Sequence, residues 1–195
     1  MSALTIPRAN EFVSLLRGRM GDARVRHCVS VAEMMWAIAP LTDVDREKAV
    51  IAGLLHDMCK AKPQAEMLAA AESYGIQVNE TQRKRPTLLH GLVAAEEVRR
   101  ELGIADDEVY EAIAWHVTGK PGIGPLALSL YFADFSEPCR THDEAAEARR
   151  IFDAEGLMRA VRYVAQSKVS MLTAKNALID PIAHAFGAWL DQQGE

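Results

Sequence analysis

Apolar positions recur every three to four residues along the chain and lay out roughly ten helical segments. Phe12, Leu15, Leu16 and Met20 line a first helix; Val25, Val29, Ala32, Met35 and Trp36 line a second that stops near Pro40. A third opens at LTDVDREK, where Thr42 or Asp43 can cap it and Asp45 and Glu47 complement the positive end of its dipole. Its core stripe is Val50, Ile51, Leu54, Leu55 and Met58. Pro63 suits the first turn of the next helix and Gly75 its end, after which NETQRKRP reads as a short polar connection. LLHGLVAAEEVRREL closed by Gly103, DDEVYEAIAWH closed by VTGKPG, and PLALSLYFADFSEP opened by Pro125 follow. Three more helices span residues 143–192, the last started by Asp180 as cap and Pro181 at N1.

No repeat or low-complexity tract interrupts this series, and no connection exceeds about a dozen residues, so an all-α single domain covering residues 1–195 is expected. Composition agrees: 195 residues, 49% hydrophobic but only 6% aromatic, suit one helical core better than a sheet. A net charge of -5 disfavours nucleic acid as the main partner while leaving room for a small basic pocket. Neither a leader-like start nor a bilayer-length apolar run is visible, which predicts a cytoplasmic protein without membrane contact. Cys28, Cys59 and Cys139 match no zinc or disulfide spacing and read as reduced, buried small hydrophobes. The basic runs at 83–85, 99–100 and 149–150 read as solvated faces.

Against this apolar background AGLLHDMCK places His56 and Asp57 side by side on the third helix, with Lys60 four and three residues further on, so that all three can converge on one point. Gly53 on the same side leaves room for close approach. A carboxylate there is costly to desolvate unless a cation or several donors compensate it. His116 lies three residues after Ile113, Asp134 three or four after Leu130 and Tyr131, and His90 within LLHGL near a helix start, each on an otherwise apolar face. One inward His is usually a satisfied core group; several together point elsewhere. His27, His56, His90 and His116 with Asp57 and Asp134 make four imidazoles and two carboxylates, enough for two metal ions sharing one carboxylate, with water completing each shell. Nitrogen and oxygen donors without thiolate favour iron, manganese, cobalt or zinc, and open positions favour catalysis.

The motifs RHC at His27, LLHDMCK, LLHG, WHVTG and YFADFSEP, in this order, resemble those of the HD-domain metal-dependent phosphohydrolases over residues 20–175. Within that superfamily they are most similar to the YqeK-type branch, symmetrical hydrolases that cut diadenosine tetraphosphate into two ADP, usually with iron. The resemblance implies an HD-type helical bundle with the C-terminal helix packed on the motif core. It implies two divalent or mixed-valence metal ions, iron first and manganese, cobalt or zinc as alternatives. Asp57 would bridge them, His27, His56 and Asp134 completing one shell and His90 and His116 the other. By the same likeness Lys60, Thr118, Gly119, Lys120, Glu137 and Arg140 bind the polyphosphate, and Asp57, Lys60 and Arg140 carry the catalysis. The chain has Val117 where the branch commonly has a second Thr, Lys120 where it has Arg, and Cys139 where it has Gly. Glu137 reads equally as a surface acid or as a group orienting water or Arg140. Trp115 reads as core, His142 and His184 as surface. Dinucleoside polyphosphate is the implied partner, with homodimerisation left open. Alternatives are hydrolysis of another nucleotide or a guanosine alarmone, a non-catalytic nucleotide sensor, and a di-iron oxygenase.

Overall fold

Eleven α-helices and no strand form among residues 2–193, the part of the chain that the computed structural model describes. They are α1 (Ala9–Arg19), α2 (Asp22–Ile38), α3 (Arg46–Leu55), α4 (Gln64–Ser73), α5 (Glu80–Lys84), α6 (His90–Arg100), α7 (Asp107–Trp115), α8 (Pro125–Ser136), α9 (Asp143–Glu155), α10 (Leu157–Ala174) and α11 (Pro181–Gln192). α2 packs on α3 and α8, α3 on α7, α7 on α6 and α8, and α10 on α8, α9 and α11. In α8 every residue except Pro125 and Asp134 is buried. A helix apolar on all sides belongs inside a bundle, and this one carries Asp134 into the interior with it.

α2 and α3 meet at Gly53, where a Cβ would stand 2.8 Å from Ala32 Cα. The missing side chain therefore admits the close approach of a neighbouring helix. α3 is capped by Asp45, whose carboxylate accepts from Lys48 N at 2.9 Å; neither Thr42 nor Asp43 does this, and Asp43 lies at φ 54°.

NETQRKRP is not a bare connection. Asn79 and Gln82 form a capping box that starts α5, and their amides donate to the buried Asp180 carboxylate at 3.0 and 2.8 Å, tying α5 to the start of α11. Arg85 in the same run donates to the Leu178 carbonyl, so it is not simply solvated. Cys28 and Cys59 are buried as expected, whereas Cys139 is exposed. No helix among the described residues is long and apolar enough to cross a membrane.

One buried acid outside the histidine cluster joins three segments. Glu97 on α6 pairs with Arg19 of α1 at 2.5 Å and with Lys62 at 3.3 Å. Burial alone would raise its carboxyl, but these cations hold it below its ordinary 4.5. Glu97→Gln is expected to lower the unfolding free energy by about 1–3 kcal/mol at neutral pH, since it leaves a half-buried guanidinium short of its counter-charge. The folded-state carboxyl titrates below its unfolded value. Its contribution is thus full above the unfolded value and disappears as pH falls through the folded one. Denaturant titrations of wild type and variant should accordingly converge on acidification.

Candidate metal centre

α3 stops at Leu55. Beyond it the chain runs through tight turns in which Met58, Lys60 and Lys62 N–H groups donate to the Leu55, Asp57 and Cys59 carbonyls at 3.1, 2.8 and 3.0 Å. The His56–Asp57 pair therefore sits at a helix C-terminus, not on the helix face the sequence suggested. Lys60 still comes near, its Nζ 3.9 Å from Asp57 Oδ1. His116 stands likewise at the end of α7, and His90 opens α6. These positions put three imidazoles beside backbone carbonyls three residues back. His56 Nδ1 lies 2.8 Å from Gly53 O, His90 Nδ1 2.5 Å from Thr87 O, and His116 Nδ1 2.7 Å from Ile113 O. A carbonyl only accepts, so each Nδ1 carries the proton and each Nε2 presents a lone pair. His27 Nδ1 faces Glu137 Oε1 at 3.1 Å with the same result.

The four Nε2 atoms converge with two carboxylates. Asp57 Oδ2 is 3.9 Å from His27 Nε2 and 3.7 Å from His56 Nε2, while Oδ1 is 2.9 Å from His90 Nε2 and 3.5 Å from His116 Nε2. Asp134 Oδ1 stands 3.0 Å from His27 Nε2 and 3.6 Å from His56 Nε2. All six sequence-predicted donors are thus neighbours, in two lobes that share Asp57.

The donors fit divalent cations. His56 Nε2 is buried with no hydrogen-bond partner among the described residues. His90 Nε2 and His116 Nε2 face each other at 3.0 Å, both bare of hydrogen by the tautomer assignment above. Opposed lone pairs beside a buried carboxylate are unfavourable unless a cation lies between them. Burial lowers the His90 pKa and brings His116 to about 4, which keeps both imidazoles neutral ligands at physiological pH.

A cavity of about 540 Å³ opens beside the cluster, with Lys60, Thr118, Asp134 and Arg140 in its wall. Other residues assigned to phosphate by resemblance lie elsewhere. Glu137 is buried behind His27, its second oxygen accepting from Ser30 Oγ at 2.5 Å and Cys139 N at 2.7 Å. It orients an imidazole and is not part of that wall. Lys120 is exposed, its Nζ 5.2 Å from the centroid of half-buried Trp115. Gly119 lies at φ 67° under Phe186, whose ring carbon would be 2.0 Å from an added Cβ. Gly119→Ala is expected to cost about 2–3 kcal/mol through left-handed strain and overpacking. A drop in melting temperature with metal binding retained would show this.

Three cations escaped the sequence reading. Arg24 Nη1 is 2.8 Å from Asp57 Oδ2. Its spacing of three before His27 put it on the same face of α2. Arg85 lines the cavity, as does Lys168 of α10. Lys168 Nζ donates to the His116 carbonyl at 3.2 Å and sits 3.7 Å from the Tyr131 ring centroid. Burial pushes its pKa down to about 8 against the pull of Asp134. Its place three residues after Ala165 and four after Val164 was the available signal. His142 caps α9 and borders the cavity, contrary to its reading as plain surface; His184 is exposed.

Fold and donor cluster together define an all-α protein with side chains placed to hold metal ions. Residues 24–160 match the HD domain model, and the chain belongs to the HD domain family. It is similar to the symmetrical bis(5′-nucleosyl)-tetraphosphatase of Bacillus subtilis, with 29% identity over 182 residues, 92% of this chain and 96% of that one. The enzyme of the same name from Staphylococcus aureus is 29% identical over 166 residues, 85% of each chain. The crystal structure of a predicted HD superfamily hydrolase involved in NAD metabolism from Clostridium acetobutylicum superposes with a TM-score of 0.91 at 26% identity, covering 95% of this chain and 97% of that one.

Proposed function

We propose that the protein hydrolyses diadenosine tetraphosphate symmetrically into two ADP in the cytoplasm. The observation that carries this reading is the cavity beside the donor cluster. Lys60, Arg140 and Lys168 supply positive charge to its wall, and Leu172, Leu178 and Ile179 supply apolar surface. Phosphates suit the first and an adenosine the second. The names of the Bacillus and Staphylococcus relatives support the same substrate.

Asp57 would bridge two divalent ions, with His27, His56 and Asp134 on one side and His90 and His116 on the other. Iron is the first choice, with manganese, cobalt and zinc behind it. Such ions, when bound, bring the pKa of water near neutrality and offset charge on phosphoryl oxygens. The chain's own groups do the rest. Arg24 keeps Asp57 ionised, Glu137 fixes the His27 tautomer, and the Gly53, Thr87 and Ile113 carbonyls fix the other three imidazoles. Lys60, Arg140 and Lys168 hold the polyphosphate and stabilise the departing nucleoside diphosphate.

The test is product analysis with metal-loaded protein. Two ADP as sole products are expected. ATP plus AMP would overturn the symmetrical cut, and release of inorganic phosphate or pyrophosphate would overturn the assigned bond.

A further inference from the structure

We propose that a second nucleoside-diphosphate subsite lies beside the metal centre, in a cleft walled by Arg24, Arg26 and Arg140. It rests on the tetraphosphate reading and extends it to the half of the substrate that the larger cavity leaves unhoused. The cleft has a volume of about 350 Å³, and His27 and Glu137 are among its lining residues. Arg140 is the one residue that lines both this cleft and the larger cavity, so the two spaces adjoin at the donor cluster. A substrate cut at its centre has two identical halves. With the scissile bond at the cluster, one half extends to each side. Both volumes exceed the roughly 300 Å³ lower bound of small-molecule sites.

Charge agrees with shape. Three guanidiniums meet one carboxylate in the cleft, and Glu137 already accepts from Ser30 and Cys139 and faces His27. Arg24 gives one nitrogen to Asp57. Arg140 is held only at long range, Nη2 3.5 Å from Asp134 and Nε 3.7 Å from Glu137. Arg26 is exposed and makes no hydrogen bond or ion pair among the described residues. Planar forks with donors to spare around a concave surface suit a diphosphate, whose adjacent oxygens accept bidentate contacts. The Arg26 side chain makes no hydrogen bond or ion pair with a metal donor among the described residues, so changing it reports on the cleft.

Calorimetric titration of the metal-loaded full chain with ADP, together with steady-state kinetics, tests the subsite. Wild type is expected to bind two ADP. Arg26→Glu should bind one, with unchanged metal content, and should raise KM for diadenosine tetraphosphate about tenfold, the loss of one charge-assisted contact. Arg26→Lys, which keeps the charge without the fork, should fall between the two. One ADP in wild type, two in Arg26→Glu, or an unaltered KM in that variant overturns the subsite. Displacement of the second ADP by equimolar inorganic phosphate also overturns it, by marking a simple anion hole. Two bound ADP with ATP and AMP as reaction products would leave the cleft standing and overturn the symmetrical reaction instead.

Discussion

Asp57→Asn is expected to reduce turnover of diadenosine tetraphosphate by about a thousandfold or more and to deplete the purified protein of metal. The substitution barely changes volume, so the effect isolates charge. Asp57 is 2% exposed, and each of its oxygens faces two imidazole lone pairs. An amide would turn its NH₂ toward one pair and donate to it, filling with a neutral hydrogen bond the place a cation would take. Arg24 would lose its carboxylate partner at the same time. Several kcal/mol of transition-state stabilisation come from metal ions in such reactions, and each 1.36 kcal/mol is about tenfold in rate. Elemental analysis and ADP production, with circular dichroism to verify folding, measure the outcome. Normal turnover would remove Asp57 from the centre of the mechanism.

Lys168→Met is expected to lower kcat/KM by about 10- to 100-fold while leaving the protein as stable or more so. No carboxylate pairs with Lys168 among the described residues, and Nζ reaches only a carbonyl and a ring. A half-buried cation without a counter-ion costs folding energy, and a bound polyphosphate is the group that repays it. Losing a charge-assisted contact to phosphate accounts for the expected drop. Methionine keeps the apolar stem and removes the desolvation cost. The two effects have opposite signs, which separates a substrate contact from a structural one. Stability should respond to pH in a matching way. The folded-state pKa of about 8 lies below the ordinary 10.5, so between these values the unfolded chain binds more protons and wild-type stability rises with pH. The advantage of Lys168→Met is therefore full below about pH 8 and shrinks above it. Equal kcat/KM in wild type and variant would exclude Lys168 from the substrate site.

Gly119 and Lys120 illustrate where motif likeness and geometry part. Both lie within four residues after His116, yet one is placed by the Phe186 ring of α11 and the other leans toward Trp115. Glu137 is similar: motif likeness points it at phosphate, but its carboxylate is occupied by His27, Ser30 and Cys139. Such partners come from segments as much as 110 residues away and leave no local periodic trace.

The sequence by itself determined the helical class, the order of the long helices and the inward register of four histidines and two aspartates, because the 3.6-residue apolar period is a local property of each segment. Only the tertiary structure decided how those donors face one another. α3 and α7 end at His56 and His116, where freed carbonyls lock the imidazole tautomers. α5 is tied to the start of α11 by the carboxylate of Asp180, far along the chain. Arg24 and Lys168 reach the site from α2 and α10, helices that α8 brings together by packing against both. Orientation at helix ends and contact between distant helices depend on how the whole core closes, and no window of sequence contains that information.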